Sequence, residues 1–304
     1  MKKKILITGG AGFVGRKLAK LLIEKGYQVS ILSRQKRQNT ATISYYQWDV
    51  EMGVIEEQAI LDADVIINLA GENIAQKRWT QTRKKQLVDS RVNAIQLIHQ
   101  VLQAKNKKID SFISASGIGI YGAFTSNKTF NENSKLANDF LGETCQKWEA
   151  ATDSIASLNI RTVIIRTGLV LGKNDGFLSK LIPVFKYRLG SVIGTGQQYM
   201  PWIHIHDLCG IYAFAVENEQ VQGPYNAAVK DGTTNALFSS ELAKQFGYKI
   251  FLPNISKILI RILMGEMATI ILKGQRVSPQ KIIDAGFQFK YTTLSQALKN
   301  CLKN

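Results

Sequence analysis

The chain has 304 residues, of which 45% are hydrophobic and 20% charged, so it can bury a large core in one domain, or in one domain with a smaller appendage. Its three cysteines and three histidines exclude a disulfide scaffold and argue against a soft-metal site, so we predict no metal. The 39 Lys and Arg against 23 Asp and Glu give a formal net charge of +16, which raises the question of a polyanionic partner.

No segment is predicted to cross a membrane or to act as a secretion signal. The apolar run after the basic amino terminus covers only residues 5–7, and the apolar stretch at residues 255–272 is interrupted by Lys257, Arg261 and Glu266. A membrane span needs about 20 largely uncharged residues. We therefore expect a cytoplasmic protein.

The first 170 residues alternate short apolar runs with helical patterns. Residues 64–69 are nearly all apolar, which is typical of a strand buried on both faces of a parallel sheet. The predicted strands are residues 4–8, 28–32, 45–48, 64–69, 111–114 and 161–165, and the predicted helices are residues 15–25, 86–104 and 137–158. This alternation predicts an α/β fold, a Rossmann-type doubly wound parallel sheet.

After Gly172 the pattern loosens and becomes mostly helical. Helices are predicted at residues 177–188, 207–217, 235–246 and 293–302, and no flexible linker separates them from the first part. We predict an NADP-binding Rossmann domain over residues 1–222, with lobe insertions around 172–202. A smaller, mostly helical C-terminal lobe on the substrate side is predicted over residues 223–304.

A glycine-rich turn follows the first strand and opens the first helix. It contains Gly9, Gly12 and Gly15 at spacings of three, with Phe13 and Val14 between the last two. Glycines let a pyrophosphate approach the backbone N–H groups at a helix N-terminus, so this position predicts dinucleotide binding. The alternative is an ordinary glycine-rich turn between a strand and a helix.

The end of the second strand indicates which dinucleotide is bound. An acidic residue there would bind the ribose 2′-hydroxyl of NAD, but the strand ends in Ser33 and Arg34, with Lys36 and Arg37 following. A guanidinium can pair with a 2′-phosphate. We therefore predict NADP(H) as the cofactor. A solvated basic loop is the alternative.

Several segments together resemble the extended short-chain dehydrogenase/reductase superfamily, of the nucleotide-sugar epimerase type, over almost the whole chain. They are the glycine turn, Asp49-Val50, Asn68-Leu69-Ala70-Gly71, Asn93, Ser114-Ala115-Ser116, Tyr121-Gly122, Arg166-Thr167-Gly168-Leu169 and Ile203-His204. The resemblance implies that Asp49 and Val50 contact the adenine and that Leu69, Ala70 and Gly71 lie along the cofactor. It also implies a structural role for Asn93 and cofactor contacts at Ser114, Gly168 and Leu169.

More narrowly, the chain looks like epimerase-family proteins of unknown substrate that carry a small C-terminal domain of unknown function. The matching residues are Gly71-Glu72-Asn73-Ile74, Lys77-Arg78-Trp79-Thr80, Met200-Pro201-Trp202-Ile203-His204, Gly265-Glu266-Met267 and Gly274-Gln275-Arg276-Val277.

The superfamily's catalytic pair is missing. Its usual chemistry depends on Tyr-x-x-x-Lys, in which the Tyr is the general acid or base and the Lys lowers its pKa. None of the ten tyrosines has a lysine four residues later. Alignment on Glu149, which matches a glutamate that commonly follows the Lys by four, puts Leu141 at the Tyr position and Cys145 at the Lys position. Leu141 cannot replace the phenol of the Tyr, and Cys145 cannot replace the ammonium of the Lys. We interpret Cys145 as a small, packed residue.

Two hydroxyl groups remain as catalytic candidates. Ser116 matches the family's serine and could hydrogen-bond a substrate carbonyl, and Tyr121 is the nearest phenol in motif order and could serve as an acid. The alternatives are a strand-end serine bonded to backbone and a tyrosine that forms part of the wall.

The substrate is predicted to bind beyond the carboxyl ends of the strands, facing the C-terminal lobe. By motif order this cleft would collect Glu72, Arg78, Trp79, Met200, Trp202 and His204. Arg78 and Trp79 could hold an anionic or planar substrate. A basic and aromatic corner that caps a helix is the alternative.

Two functions from different classes follow. The first is an NADP(H)-dependent oxidoreductase or epimerase-like enzyme, without the Tyr-x-x-x-Lys pair, that acts on an unknown small molecule. The alternative is a non-catalytic NADP(H)-binding sensor or assembly partner. Nucleic acid is not expected, because the basic residues are dispersed and no run combines them with aromatic residues. A homodimer is compatible with the resemblance.

Overall fold

Eight strands form one sheet with helices on both faces in the computed structural model, which describes residues 2–173 and 175–303. The strands in chain order are β1 (Lys4–Thr8), β2 (Gln28–Ser33), β3 (Ile43–Asp49), β4 (Val54–Ile55), β5 (Val65–Asn68), β6 (Ser111–Gly117), β7 (Thr129–Phe130), β8 (Arg161–Thr167), β9 (Leu169–Leu171), β10 (Trp202–His204), β11 (Gly223–Ala227) and β12 (Arg276–Val277). The large sheet has the order β11-β8-β6-β5-β1-β2-β3-β4, and its neighbouring strands are parallel except for β3 and β4.

The helices are α1 (Phe13–Glu24), α2 (Gln58–Leu61), α3 (Gln81–Ala104), α4 (Phe140–Ala156), α5 (Gly176–Lys186), α6 (Ile205–Glu217), α7 (Asn235–Gln245), α8 (Lys257–Met264), α9 (Thr269–Leu272), α10 (Gln280–Asp284) and α11 (Leu294–Leu302). None of the helices in residues 2–173 and 175–303 combines the length and the apolar character that crossing a membrane requires.

The core consists of two layers because successive side chains of a strand point to opposite faces. Ile5 and Ile7 of β1 pack with α1 and α6 on one face, whereas Leu6 packs with α3 and α4 on the other. The predicted α/β fold with a doubly wound parallel sheet is thereby confirmed.

Every strand and helix predicted in the first 170 residues is present, with shifts of up to five residues at the ends, whereas the short elements β4, α2 and β7 were not predicted. Helix α3 begins five residues earlier than predicted, because the Thr80 hydroxyl caps it by accepting from the backbone N–H of Arg83 at 3.1 Å.

The sheet extends into the sequence predicted as the C-terminal lobe. Strand β11 begins at Gly223 and pairs in parallel with β8, so the predicted boundary after residue 222 precedes the last strand of the sheet. The periodicity gave no signal here, because Gly223 and Pro224 open a strand of only five residues. The domain division stays a prediction.

The carboxyl ends of the parallel strands meet at one edge of the sheet. The chain leaves β1 toward α1 and leaves β5 toward α3, so the order of connections reverses between these two neighbouring strands. Ligands of open α/β sheets bind in the crevice at such a point. The glycine turn and the segment after β5 both lie there.

Candidate functional site

The glycine turn packs directly against the segment that leaves β5. Gly9 has a φ of +66°, and a Cβ built on it would lie 2.7 Å from the carbonyl oxygen of Leu69. The N–H of Gly12 donates to the carbonyl of Gly9 at 2.9 Å, and a Cβ on Gly15 would collide with that same carbonyl. A Cβ at Gly9 or Gly15 would collide with backbone atoms, and one at Gly12 would lie 3.2 Å from the carbonyl oxygen of Gly9, so the glycines leave the backbone open to a close ligand.

The turn leads into a helix end without a side-chain cap. Gly12 is the N-cap of α1, and no side chain accepts a hydrogen bond from the first turn, which contains Phe13 and Val14. Free N–H groups and the helix dipole favour an anion here. The Phe13 ring itself lies against Gly172 and Gly176. The first turn therefore contacts the predicted lobe insertion.

The Thr8 hydroxyl joins the ends of β1 and β5. It donates to Asn68 Oδ1 at 2.7 Å and accepts from the N–H groups of Leu69 and Ala70 at 3.1 and 3.2 Å. Side chains at the end of two neighbouring strands are thus tied together under the turn. This bond network holds the segment from Leu69 to Gly71 beside the predicted cofactor site.

Three arginine side chains converge on Glu72, directly after that segment. Arg34 Nη1 lies 3.5 Å from Glu72 Oε1, and the buried Arg83 lies 3.3 Å from Oε2 and donates to the carbonyl of Asn73 at 2.9 Å. Arg91 Nη2 donates to the backbone carbonyl of Glu72 at 2.9 Å. Among the described residues the Glu72 carboxylate is the only one within 4.0 Å of Arg34 and Arg83, and none lies that close to Arg91, so the cluster carries an excess of positive charge.

The remaining residues predicted to contact the adenosine half lie near the ends of β2 and β3. Ser33 is buried, whereas the Arg34 side chain is 76% exposed. The Asp49 carboxylate accepts from the N–H groups of Glu51 and Met52 and thereby closes its own turn, and Val50 packs on the core.

A cavity of about 510 Å³ opens beside the glycine turn. Arg37 lies in its wall and stacks over the Tyr45 ring at 5.8 Å. The residues around it are Gly10, Ala11, Arg16, Ala19, Lys20, Ile23, Glu24, Ile31, Arg37, Thr42, Ile43 and Tyr45. Glycine turn, uncapped helix end and basic cluster together fit a dinucleotide with an additional phosphate.

The three other residues predicted at the cofactor are placed differently. Ser114 is fully buried in β6 and donates to the carbonyl of Ala115 at 3.1 Å. Gly168 and Leu169 connect β8 to β9, and the N–H of Leu169 donates to the carbonyl of Pro201 at 2.8 Å. Asn93 lies exposed on α3. Their contribution to cofactor binding stays a prediction.

Both catalytic candidates belong to one buried polar network. Ser116 Oγ donates to Glu149 Oε1 at 2.7 Å, and Glu149 forms a two-pronged ion pair with Arg166 at 2.9 and 2.7 Å. Arg166 Nη1 donates to the Tyr121 hydroxyl at 3.0 Å, and that hydroxyl donates to Asn226 Oδ1 at 2.7 Å. The single hydroxyl protons of Ser116 and Tyr121 are therefore both committed inside the protein.

Burial also sets the protonation of the groups nearby. It raises the pKa of Tyr121, and it raises the pKa of the Cys145 thiol to about 11. Cys145 lies beside Gly117 and Gly119, with Leu141 one turn before it on α4. The positions predicted to align with the family's Tyr and Lys thus hold an apolar side chain and a neutral thiol.

Arg78 and Trp79 contact the C-terminal lobe. Arg78 donates to the carbonyl of Ile262 in α8. Trp79 is buried, donates to the carbonyl of Ile74 at 2.9 Å and packs edge-on against Phe140 at 4.8 Å. Arg78 and Trp79 thus connect the loop before α3 to the C-terminal lobe.

Trp202 and His204 lie inside the protein, and Met200 is partly buried nearby. Trp202 is fully buried and donates to Asp231 at 2.6 Å. His204 caps α6 by accepting from the N–H of His206 at 3.2 Å and stacks on Tyr291 at 3.8 Å, and burial lowers its pKa to about 4. Motif order grouped these residues with Arg78 and Trp79, but the structure separates them. Their substrate role stays a prediction.

Sequence reasoning did not single out the charged residues that organise the site. Arg166 directly follows the three apolar residues 163–165 of β8, and a buried charge there requires a partner, which is Glu149. This signal was readable in the sequence. Arg83 and Arg91 carried none, because basic residues on a long helix are usually solvated.

Comparisons with known proteins agree with this architecture. A model of the NAD dependent epimerase/dehydratase family matches residues 5–228, and a model of a domain of unknown function (DUF1731) matches residues 255–301. The epimerase family protein YfhF of Bacillus subtilis is 37% identical over 300 residues, which cover 98% of this chain and 97% of the relative. The mouse (Mus musculus) epimerase family protein SDR39U1 is 34% identical over 301 residues, which cover 98% of this chain and 99% of the relative.

Solved structures are similar over nearly the whole chain. The crystal structure of the human epimerase family protein SDR39U1 with NADPH has a TM-score of 0.86 and 30% identity, and the match covers 99% of both chains. A UDP-glucuronic acid 4-epimerase from Bacillus cereus, in complex with NAD, has a TM-score of 0.79 at 19% identity and covers 98% of this chain and 96% of its own, which shows the fold alone.

Proposed function

Because this chain belongs to the NAD-dependent epimerase/dehydratase family, we propose that it binds NADP(H) and acts as an oxidoreductase or epimerase-like enzyme on a small molecule. The observation that carries the proposal is the glycine turn. Its backbone lies so close to Leu69 that no side chain fits, and it opens onto the uncapped N-terminus of α1. A pyrophosphate is the ligand that such a turn accommodates.

The basic cluster favours NADP(H) over NAD(H). Arg34 and Arg83 contact the Glu72 carboxylate, Arg91 contacts the backbone carbonyl of the same residue, and Arg34 is the exposed member at the end of β2. A 2′-phosphate adds negative charge where positive charge is in excess. The similar human SDR39U1 was crystallised with NADPH, which supports the same assignment.

Calorimetric titration of the purified chain with NADPH and NADH tests the cofactor. We expect NADPH to bind at least about tenfold more tightly, a difference of about 1.4 kcal/mol. Equal affinities would contradict the assignment of Arg34 to the 2′-phosphate. If neither nucleotide bound, the proposed function would be overturned. Gly15→Ala is the control, because its Cβ would collide with the carbonyl of Gly9.

The chemistry would differ from that of Tyr-x-x-x-Lys enzymes. A bound nicotinamide supplies hydride transfer. This chain's residues would bind and orient the cofactor, while Leu141 and Cys145 offer no proton donor of the family's type. In this proposal Ser116 polarises a substrate carbonyl only if its hydroxyl leaves Glu149, and Tyr121 acts as an acid only if it leaves Asn226.

The same network favours a second candidate function, a non-catalytic NADP(H)-binding sensor or assembly partner. Ser116, Glu149, Arg166, Tyr121 and Asn226 form a closed chain of hydrogen bonds in the interior. A satisfied buried network of this kind fixes one conformation instead of offering a proton to a ligand.

The absorbance of reduced nicotinamide separates the two functions. The protein is mixed with NADPH and with a panel of small carbonyl compounds and nucleotide sugars. An enzyme consumes NADPH with at least one member of the panel, and Gly15→Ala abolishes this. A sensor consumes none, but its affinities for NADPH and NADP⁺ differ by about tenfold. Absence of both effects would contradict both functions.

Several further predictions belong to this proposal. They are the cytoplasmic location, the unknown small-molecule substrate, the homodimer, the absence of a metal and the division of the chain after residue 222. Glu72 is proposed at the cofactor's phosphate side as well as at the substrate, because Arg34 contacts it.

A further inference from the structure

Arg91 lies between the segment that leaves β5 and helix α4. Its Nη1 donates to the carbonyl of Leu87 at 2.7 Å, and its Nη2 donates to the carbonyl of Glu72 at 2.9 Å. A Cβ built on Gly71 would lie 3.2 Å from Arg91 Cζ. On the other side the guanidinium stacks over the Trp148 ring at 5.0 Å. The side chain is partly buried at the edge where the cofactor is proposed to bind.

The positive charge of Arg91 is not neutralised by an ion pair within the described chain. No carboxylate of residues 2–173 or 175–303 lies within 4.0 Å of it, and the nearby Glu72 carboxylate is already shared by Arg34 and Arg83. Backbone carbonyls supply partial charges only. A partly buried cation without a carboxylate is costly, and an anionic or hydroxyl-bearing ligand would offset that cost.

Arg91 packs on α4 one turn from Cys145, the position predicted to align with the family's lysine. Trp148, on which Arg91 stacks, follows Cys145 by three residues and so lies on the same helix face. Arg91 acts electrostatically on the Cys145 thiol, but burial dominates and raises the thiol pKa to about 11. The thiol therefore stays neutral and does not compensate the arginine.

We propose that Arg91 supplies, from helix α3, the positive charge that the family's lysine supplies from α4, and that it binds the nicotinamide-ribose and pyrophosphate half of the cofactor. This inference rests on the proposed NADP(H) function and assigns different parts of the cofactor to Arg34 and Arg91. Arg34 selects the 2′-phosphate, which only NADP(H) carries. Arg91 binds the part that NADPH and NADH share.

The test is calorimetric titration of the full chain with NADPH, NADH and adenosine 2′,5′-bisphosphate, a fragment that lacks the nicotinamide mononucleotide half of NADPH. Arg91→Met removes the charge and keeps most of the apolar stem. We expect Arg91→Met to weaken the binding of NADPH and of NADH at least about tenfold each, equivalent to about 1.4 kcal/mol. The affinity for the fragment should stay within about twofold of wild type. Equal weakening of all three ligands, or of none, would overturn the inference.

Arg91→Lys separates binding from a purely structural role. If Arg91 only links the carbonyls of Glu72 and Leu87 by hydrogen bonds, a lysine cannot make both bonds, and the Arg91→Lys variant should bind as weakly as Arg91→Met. If the charge itself binds the cofactor, Arg91→Lys should keep the NADPH affinity within about threefold of wild type, a cost below about 1 kcal/mol. Failure of wild type to bind any of the three ligands would instead overturn the proposed function, and this inference with it.

Discussion

The substitution Glu149→Gln should destabilise the protein strongly. It removes the charge that pairs with Arg166 in two hydrogen bonds of 2.9 and 2.7 Å, where the two side chains are only 11% and 5% exposed. Removing one partner of a buried ion pair costs about 3–5 kcal/mol, because the other charge stays buried. Gln keeps one acceptor oxygen, and Arg166 keeps the Tyr121 hydroxyl. We therefore expect about 3 kcal/mol, a large part of a typical stability of about 5–15 kcal/mol.

Urea-induced unfolding followed by circular dichroism measures this loss as a change in the free energy of unfolding. Asp89→Asn is the matched control, because it removes the same charge from an exposed pair with Lys85 and should cost less than about 0.5 kcal/mol. Ser116→Ala, which removes one hydrogen bond to Glu149, should fall between them at about 1 kcal/mol. If Glu149→Gln cost no more than Asp89→Asn, the network would not be the buried, charge-paired unit described above.

Three further outcomes are expected. Arg34→Met should weaken the binding of NADPH about tenfold in calorimetry and the binding of NADH less than twofold. The exposed Arg34 charge is screened by solvent and is expected to contact only the 2′-phosphate, which NADH lacks. Equal weakening of both nucleotides would contradict this. Tyr121→Phe should lower the free energy of unfolding by about 1–3 kcal/mol, because Asn226 and Arg166 each lose a buried partner, and an unchanged urea midpoint would argue against the network. Burial lowers the pKa of His204 from 6.5 to about 4, so the unfolded chain binds this proton more readily, and stability present above pH 6.5 is lost as the pH falls. Between about pH 7 and about pH 5 the loss should be about 2 kcal/mol in urea unfolding, and His204→Asn should remove that part of the pH dependence.

The fold and the nucleotide end of the site could be predicted because local patterns encode them. The apolar run of β5, the glycines after β1 and the basic residue after β2 each lie within a few residues of the feature they determine. Parallel sheets bring the ends of such strands to one edge, so neighbouring motifs meet there without further information. No strand was predicted at β11, because it is short, begins with Gly-Pro and is defined by its pairing with β8 and not by a local pattern.

The interior of the site could not be predicted, because it depends on side-chain direction. Ser116 was read as a group that faces a substrate, and in the structure it donates to Glu149 from a helix 33 residues away. A shift of one residue along a strand turns a side chain to the other face. Trp202 and His204 were likewise grouped by motif order, although they pack into the lobe.

The sequence alone determined the Rossmann-type sheet and the glycine turn, and it predicted a phosphorylated dinucleotide and the absence of the Tyr-x-x-x-Lys pair, because each of these is a statement about residue types at short spacing. Only the tertiary structure decided what surrounds Leu141 and Cys145, the positions predicted to align with that pair. It closed Ser116 and Tyr121 into a buried network, and it brought Arg34 from the end of β2 and Arg83 and Arg91 from α3 to Glu72. Charges distant in sequence interact only once the sheet and its helices have packed, so a net charge of +16 predicts no individual contact.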